Sequence, residues 1–336
     1  MTELAALLTR TTVAAMPVAY AVAFVFSLMF IPFLRSIKAG QPIKKIGPVW
    51  HMHKEGTPTM GGWIFIVGLT AGIAYACVRR NADLALSGAL LAFALVYGLI
   101  GFVDDSQKIK KRDNDGLSAS QKLALQLAAS LAFIFLLRYL GYLHPQIFVP
   151  FAKVKLQVNM VVYEVFAAFV IVGAVNAVNI TDGVDGVLTG VSLPVVGCLT
   201  LLALNRGVGT VAAYGFALMG GLLAFLCFNF NPAKIFMGDT GSLFIGGAIC
   251  AMAFALDVPL TLAPMCLIFV FEVVSDFIQV GYFKYSRRKY GEGRRVFKMA
   301  PFHHHLEKSG WSEKRIFVVF TAVSVVCSVA AYFGSV

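Results

Sequence analysis

The sequence predicts an all-α, polytopic integral membrane protein, and three observations carry that expectation. Of its 336 residues, 59% are hydrophobic and 13% charged, with a mean hydropathy of +0.79. That is more apolar surface than a water-soluble protein of this size needs to bury. Apolar stretches able to cross a ~30 Å hydrocarbon layer recur about ten times. Lysine and arginine, finally, gather in alternate loops.

The stretches lie near residues 17–37, 61–79, 84–103, 120–141, 159–179, 187–204, 208–229, 240–256, 258–283 and 315–334. The eighth is short and the ninth is interrupted by polar residues. Arg10 is followed by a full-length span with no small-residue cleavage site, so no cleavable signal is expected. Residues 1–336 read as a single membrane domain. No internal repeat is evident, which weakens an inverted-repeat transporter reading. All six cysteines lie in apolar runs without metal-ligand spacing, and are expected to be packing residues.

Ten spans place the loops at 38–60, 104–119, 180–186, 230–239 and 284–314 on one side. With the adjacent helix ends, that side carries 21 of the 28 basic residues, including Lys38, Lys44, Lys45, Lys54, Lys108, Arg112 and Lys122. The other side has seven: Arg10, Arg79, Arg80, Arg138, Lys153, Lys155 and Arg206. The basic side is therefore expected to be cytoplasmic, with both termini outside. A net charge of +11 distributed this way suits anionic lipid and anionic ligands, with no call for nucleic acid.

The polar clusters expected on that side are where chemistry can reside. Asn176–Gly186 closes an apolar run with two carboxylates, two asparagines, a threonine and glycines, groups that belong at a membrane surface or in a wet cavity. A polar helix–helix turn capped by Thr181 or Asp182 is the plainer reading. Asp104 and Asp105 follow the apolar run Leu95–Val103, where a helix C-terminus would disfavour them unless a cation intervenes. Balance by the basic residues from Lys108 to Arg112 is the alternative. His51–Gly62 is glycine-rich, and its Lys54, Thr57 and Thr59 offer donors suited to phosphate. Asp239, before a short apolar helix, is either an N-cap or a hard-oxygen ligand for Mg²⁺. Phe236 is either core or a stacking face for a base. Glu272, Asp276 and Gln279 share one helical face, and intramembrane acids are functional suspects unless paired. His303, His304 and His305 diverge too much to bind one metal together, and suit phosphate donation or proton carriage.

Together these segments resemble the phospho-N-acetylmuramoyl-pentapeptide-transferase family, over essentially the whole chain. Asp104-Asp105, Asn176–Gly186 and Phe236–Ser242 are similar to motifs of polyprenyl-phosphate sugar-1-phosphate transferases in general. Gly56–Gly62 and Pro301–Glu307 resemble the muramoyl branch. The resemblance implies a multi-pass enzyme of the bacterial cytoplasmic (inner) membrane, with its active site at the cytoplasmic face. It implies transfer of phospho-N-acetylmuramoyl-pentapeptide from UDP to undecaprenyl phosphate, with release of UMP and a requirement for Mg²⁺. It further implies that Asp239 binds the metal and that Asp104 and Asp105 serve catalysis and metal or lipid-phosphate handling. The family's nucleoside pocket maps onto Lys54, Asn229, Phe236, Gln279 and the turn Gly183–Asp185. Thr59, Asn176, Asn179 and Asp182 join the substrate-binding candidates, and the three histidines are assigned to diphosphate or sugar. A homodimer is expected from the resemblance alone.

Two rivals stand beside this reading. A sibling transferase for another UDP-sugar is disfavoured by the loops at 56–62 and 301–307. A cation-coupled transporter using Glu272 and Asp276 has no use for carboxylates crowded at one face.

Overall fold

The computed structural model describes residues 10–37, 40, 54, 56–79, 81–111 and 116–336. Lys38, Lys44, Lys45, Arg80 and Arg112, together with His51, His53 and Glu55 of the glycine-rich loop, lie outside them.

Every apolar stretch expected from the sequence is helical among the described residues. The helices are α1 (Arg10–Ser36), α2 (Gly62–Val78), α3 (Leu84–Lys111), α4 (Ala119–Tyr139), α5 (Met160–Ile180), α6 (Val187–Asn205), α7 (Gly209–Asn229) and α8 (Gly238–Ala255). A 3₁₀ turn (Pro259–Thr261), α9 (Leu262–Met265), α10 (Leu267–Tyr290), the short α11 (Phe302–Glu307) and α12 (Glu313–Ser335) complete the chain. Eight helices are long and apolar enough to cross a membrane, α2 is slightly shorter, and α10 leaves the preceding short helix at 76°. The protein is a multi-pass membrane protein. Polar caps set several starts. Ser118 forms a full capping box with Gln121 before α4, while Asn159 and Ser312 cap α5 and α12.

Two local features differ from the sequence reading of an all-α chain with Asp104 and Asp105 at a helix end. Gln146–Val149 and Val154–Gln157 pair as an antiparallel hairpin, the sole sheet among the described residues. Phe151 and Lys153 adopt positive φ in its turn, and the Phe151 N–H donates to the Gly334 carbonyl, anchoring the hairpin on α12. The second difference concerns Asp104 and Asp105. They do not end a helix, because α3 continues two turns to Lys111. The unfavourable C-terminal dipole is thus further away, and Lys108, one turn on, meets Asp104 at 2.6 Å.

Helix α8 sits at the centre, packed against α2, α3, α5, α6 and α7, and all but its ends is buried. In lipid, helices associate by close packing rather than by a hydrophobic drive. Small residues make this possible: Gly246 rides on the Val175 backbone of α5, and Gly247 on Ala94 and Tyr97 of α3. Outward-facing apolar side chains such as Phe135, Phe169, Phe277 and Phe333 remain exposed, as a lipid-facing surface requires. The centrality of α8 fixes the site, because its N-terminus delivers Asp239 to the end where the polar loops meet.

Candidate active site

The acidic centre is assembled across α3 and α8. At Gly101, α3 lies directly on the Asp239–Thr240 backbone, so close that a Cβ would overlap it. This contact aligns the Asp105 side chain with the start of α8. Its Oδ1 accepts the Asp239 N–H (3.1 Å), and Oδ2 accepts the Thr240 N–H (2.9 Å) and hydroxyl (2.7 Å). Met237, the residue before α8, provides no side-chain cap. Asp105, fully buried, serves as that cap from another helix.

Asp104 faces elsewhere, since neighbours on a helix diverge by about 100°. Its Oδ1 accepts the Leu117 N–H at 2.8 Å, and its Oδ2 lies 2.6 Å from the Lys108 ammonium. Asp239 completes the group. Its Oδ2 accepts from Lys122 (2.7 Å) and Lys108 (3.0 Å), and its Oδ1 from the Asn179 amide (3.0 Å). Asn179 also donates to Ser242, which holds its amide in place. One oxygen from each of Asp104, Asp105 and Asp239 lies within 4.8 Å of the others. Such a donor set, entirely of hard oxygen, fits a small divalent cation. Two ammoniums against three carboxylates leave the group short of neutral, which a cation would also relieve. Sequence reasoning offered Lys108 as a balance for Asp104 and Asp105, and that ion pair forms, but put Lys122 only among the basic loop residues, because its approach to Asp239 is a tertiary event.

Beside this centre opens a cavity of about 210 Å³, lined by Lys54, Thr59, Asn179, Asp182, Gly183, Val184, Asp185, Asn229, Phe236, Gly238 and Asp239. Sites for drug-sized ligands start near ~300 Å³, so this one suits part of a nucleotide–sugar–peptide and leaves the rest outside. Its walls are braced by hydrogen bonds. Lys54 bridges Asp185 and Glu313, both at 2.7 Å. Asp185 also accepts from the Ala233 N–H (2.9 Å) and Asn231 (3.2 Å). Asn229 accepts from the Gly186 N–H and donates to the Ile235 carbonyl, tying two loops together. The Thr59 hydroxyl is buried without a hydrogen-bond partner among the described residues, a donor available to a ligand. Phe236 is half-buried in the wall and takes no part in the hydrophobic core. Asp182 is held in its acid form: burial, then repulsion from Asp239, Asp105 and Asp185, pushes its pKa up to about 8.

Most predicted site residues therefore converge, and five of the substrate-binding candidates do not line the cavity. Asn176 pairs with Gln126 of α4 (2.7 Å) and fastens α5 to it. Gln279 donates to the Phe297 carbonyl and accepts from the Val296 and Phe297 N–H groups, shaping the basic loop. His304 bonds Glu307 (2.6 Å), and the His305 Nδ1 accepts the Lys298 N–H (3.0 Å). His303 lies against Gly183 at the back of the cavity wall. Glu313 carries no signal of its own in the sequence, where it reads as an ordinary first-turn acid on α12.

Residues 87–257 match the family described as Glycosyl transferase family 4. The chain is 42% identical over 319 residues to the phospho-N-acetylmuramoyl-pentapeptide-transferase of Clostridium acetobutylicum, covering 93% of this chain and 96% of that protein. It is also 42% identical over 312 residues to the proteins of that name from Bacillus anthracis and Bacillus thuringiensis, covering 93% of this chain and 94% of each.

Proposed function

Because the chain belongs to the phospho-N-acetylmuramoyl-pentapeptide-transferase family, we propose that its acidic centre carries out Mg²⁺-dependent phosphoryl transfer at the cytoplasmic face of the bacterial inner membrane. The enzyme moves phospho-N-acetylmuramoyl-pentapeptide from UDP to undecaprenyl phosphate, releasing UMP and forming lipid I. The observation that carries the site assignment is the convergence of Asp104, Asp105 and Asp239 beside a cavity of about 210 Å³.

An oxygen of the lipid phosphate attacks the β-phosphorus, the bond from that phosphorus to the bridging oxygen breaks, and the electron pair leaves on UMP. The sugar's anomeric bond is untouched. Asp239 and Asp104 would hold the metal, which would supply neutralisation of the charge developing on the diphosphate, and Asp105 fixes the start of α8 that presents Asp239. Lys108 and Lys122, each with several donors, stand beside Asp239 where phosphate oxygens would approach. Proton removal from the nucleophile contributes little, because a phosphate monoester with a second pKa of about 6 is mostly dianionic at neutral pH. The loops place the reactants, Lys54 and the Gly183–Asp185 turn on the nucleoside side and Thr59 toward phosphate.

The substrate assignment is tested by offering purified protein several UDP-sugars with a short-chain polyprenyl phosphate. UMP release is expected from UDP-N-acetylmuramoyl-pentapeptide at least ten times faster than from UDP-N-acetylglucosamine, and the reverse preference would support the sibling transferase.

Two results follow directly. Phe236, outside the core, stacks on the uracil ring in this reading. Phe236→Ala should raise the nucleotide substrate's KM by roughly tenfold, since one stacking contact is worth ~1–3 kcal/mol. The lipid substrate's KM should stay put, and equal damage to both would return Phe236 to a packing role. The orientation makes the 284–314 loop cytoplasmic. A cysteine in place of the exposed Glu292 should resist impermeant thiol reagents in intact cells and react after lysis. Labelling of intact cells would place the site on the wrong side for its nucleotide.

A further inference from the structure

Glu272 lies in the middle of the chemistry-bearing region with no role in the transfer just described. It sits on α10 with no exposed surface, and His303 is 1% exposed. The His303 backbone N–H donates to both carboxylate oxygens, at 3.1 and 3.3 Å, and Nδ1 lies 2.9 Å from Oε2. Accepting at both positions, the Glu272 side chain fixes a proton on Nδ1 and the ring in one orientation. The opposite nitrogen, Nε2, is buried and has no hydrogen-bond partner among the described residues. It points at Gly183 in the cavity wall, where a side chain would overlap the ring. A polar atom buried this way calls for a partner, which the described residues do not supply.

We propose that Glu272 is a positioning residue for the transfer reaction: it clamps His303 so that a protonated Nε2 reaches past Gly183 to donate to an anionic oxygen of the diphosphate substrate. The inference rests on the reading of the cavity as the donor site. Glu272 supports the step through charge as well as orientation, because a buried carboxylate is compensated when its partner is an imidazolium. Asp276, one turn along α10, interacts electrostatically with His303, while Asp182, held in its acid form, flanks Gly183 without adding charge. The His304 ring stands 4.1 Å away, itself bound to Glu307, and on α12 Glu313 is engaged by Lys54. Small side chains at 183 and a carboxylate one helix away are thus two halves of one device. Acceptor oxygens on the substrate, rather than a metal, are its target.

Glu272→Gln keeps an acceptor for both N–H groups and removes the charge. UMP release should be measured with thermal unfolding on the same preparations. Glu272→Gln should lower kcat/KM for the nucleotide roughly tenfold while leaving the lipid substrate's KM and the unfolding midpoint nearly unchanged. His303→Gln should cost at least as much, and adding Glu272→Gln to it should cost no further activity. Losses that multiply in the double variant, or equal damage to both substrates, would show Glu272 to be structural only. Should Glu272→Gln not fold, His303→Gln decides alone, since an unchanged kcat/KM for the nucleotide overturns the proposal. A wild-type protein that releases no UMP would instead indict the transferase reading on which this rests.

Discussion

Asp239→Asn should yield a folded protein whose turnover is lower by about 10³-fold, roughly 4 kcal/mol of transition-state stabilisation. Asparagine keeps the shape and one oxygen, so the Asn179 contact and the start of α8 survive. That start is held from outside, by the Asp105 carboxylate on the Asp239 and Thr240 N–H groups, and does not depend on residue 239's own side chain. Nor are the lysines stranded, since Lys108 still has Asp104 at 2.6 Å. Three carboxylates facing two ammoniums become two facing two. The unfolding midpoint should therefore shift by only a few degrees, on the scale of a ~1 kcal/mol change. What is lost is an anionic ligand for a hard cation, and the residual activity should need much more Mg²⁺. A destabilised but fully active variant would reduce Asp239 to a packing and charge-balance residue.

Gly101→Ala should be the most damaging change of a single methyl group. A Cβ at this position meets the Asp239 carbonyl and the Thr240 nitrogen, backbone atoms that cannot move without pushing α8 away from α3. Overpacking of this kind costs about 1–3 kcal/mol. The same displacement lengthens the Asp105 cap and carries Asp239 away from Asp104, so activity should fall by at least two orders of magnitude even at temperatures where the protein is folded. Gly88, on the same helix, supplies the comparison: it is exposed, with no atom near a Cβ. Gly88→Ala should be neutral or slightly stabilising, because alanine is the better helix former by up to about 1 kcal/mol. If both alanines behave alike, close packing of α3 on α8 does not set the site.

The helices were legible because hydrocarbon imposes length and composition on each span, and that imposition is local. The hairpin at Gln146–Gln157 was less so: its two short strands alternate weakly, and its docking on α12 through Phe151 is a distant contact. Asp104, Asp105 and Asp239 could be picked out because carboxylates beside apolar runs are costly without partners. Their division of labour could not be, since it follows from the direction in which each leaves α3 and from where α8 begins. Lys122 looks like any polar residue in the first turn of α4 until the fold puts it 2.7 Å from Asp239. Gln279 and Asn176 are polar groups on apolar helices, and their amides are engaged with Val296–Phe297 and with Gln126, partners that the sequence does not reveal. Glu272 stands out as an intramembrane acid, but its partner lies 31 residues away in the chain.

The identity of the nucleotide that leaves tests the central claim most directly. Purified protein should be given UDP-N-acetylmuramoyl-pentapeptide and a short-chain polyprenyl phosphate, with Mg²⁺ titrated from zero, and both products identified. Attack on the β-phosphorus within the acidic centre predicts UMP, a lipid-linked diphosphate that retains the donor's anomeric configuration, and no turnover without the divalent cation. Release of UDP with a sugar joined to a single phosphate, or undiminished turnover in a strong chelator, would contradict the account.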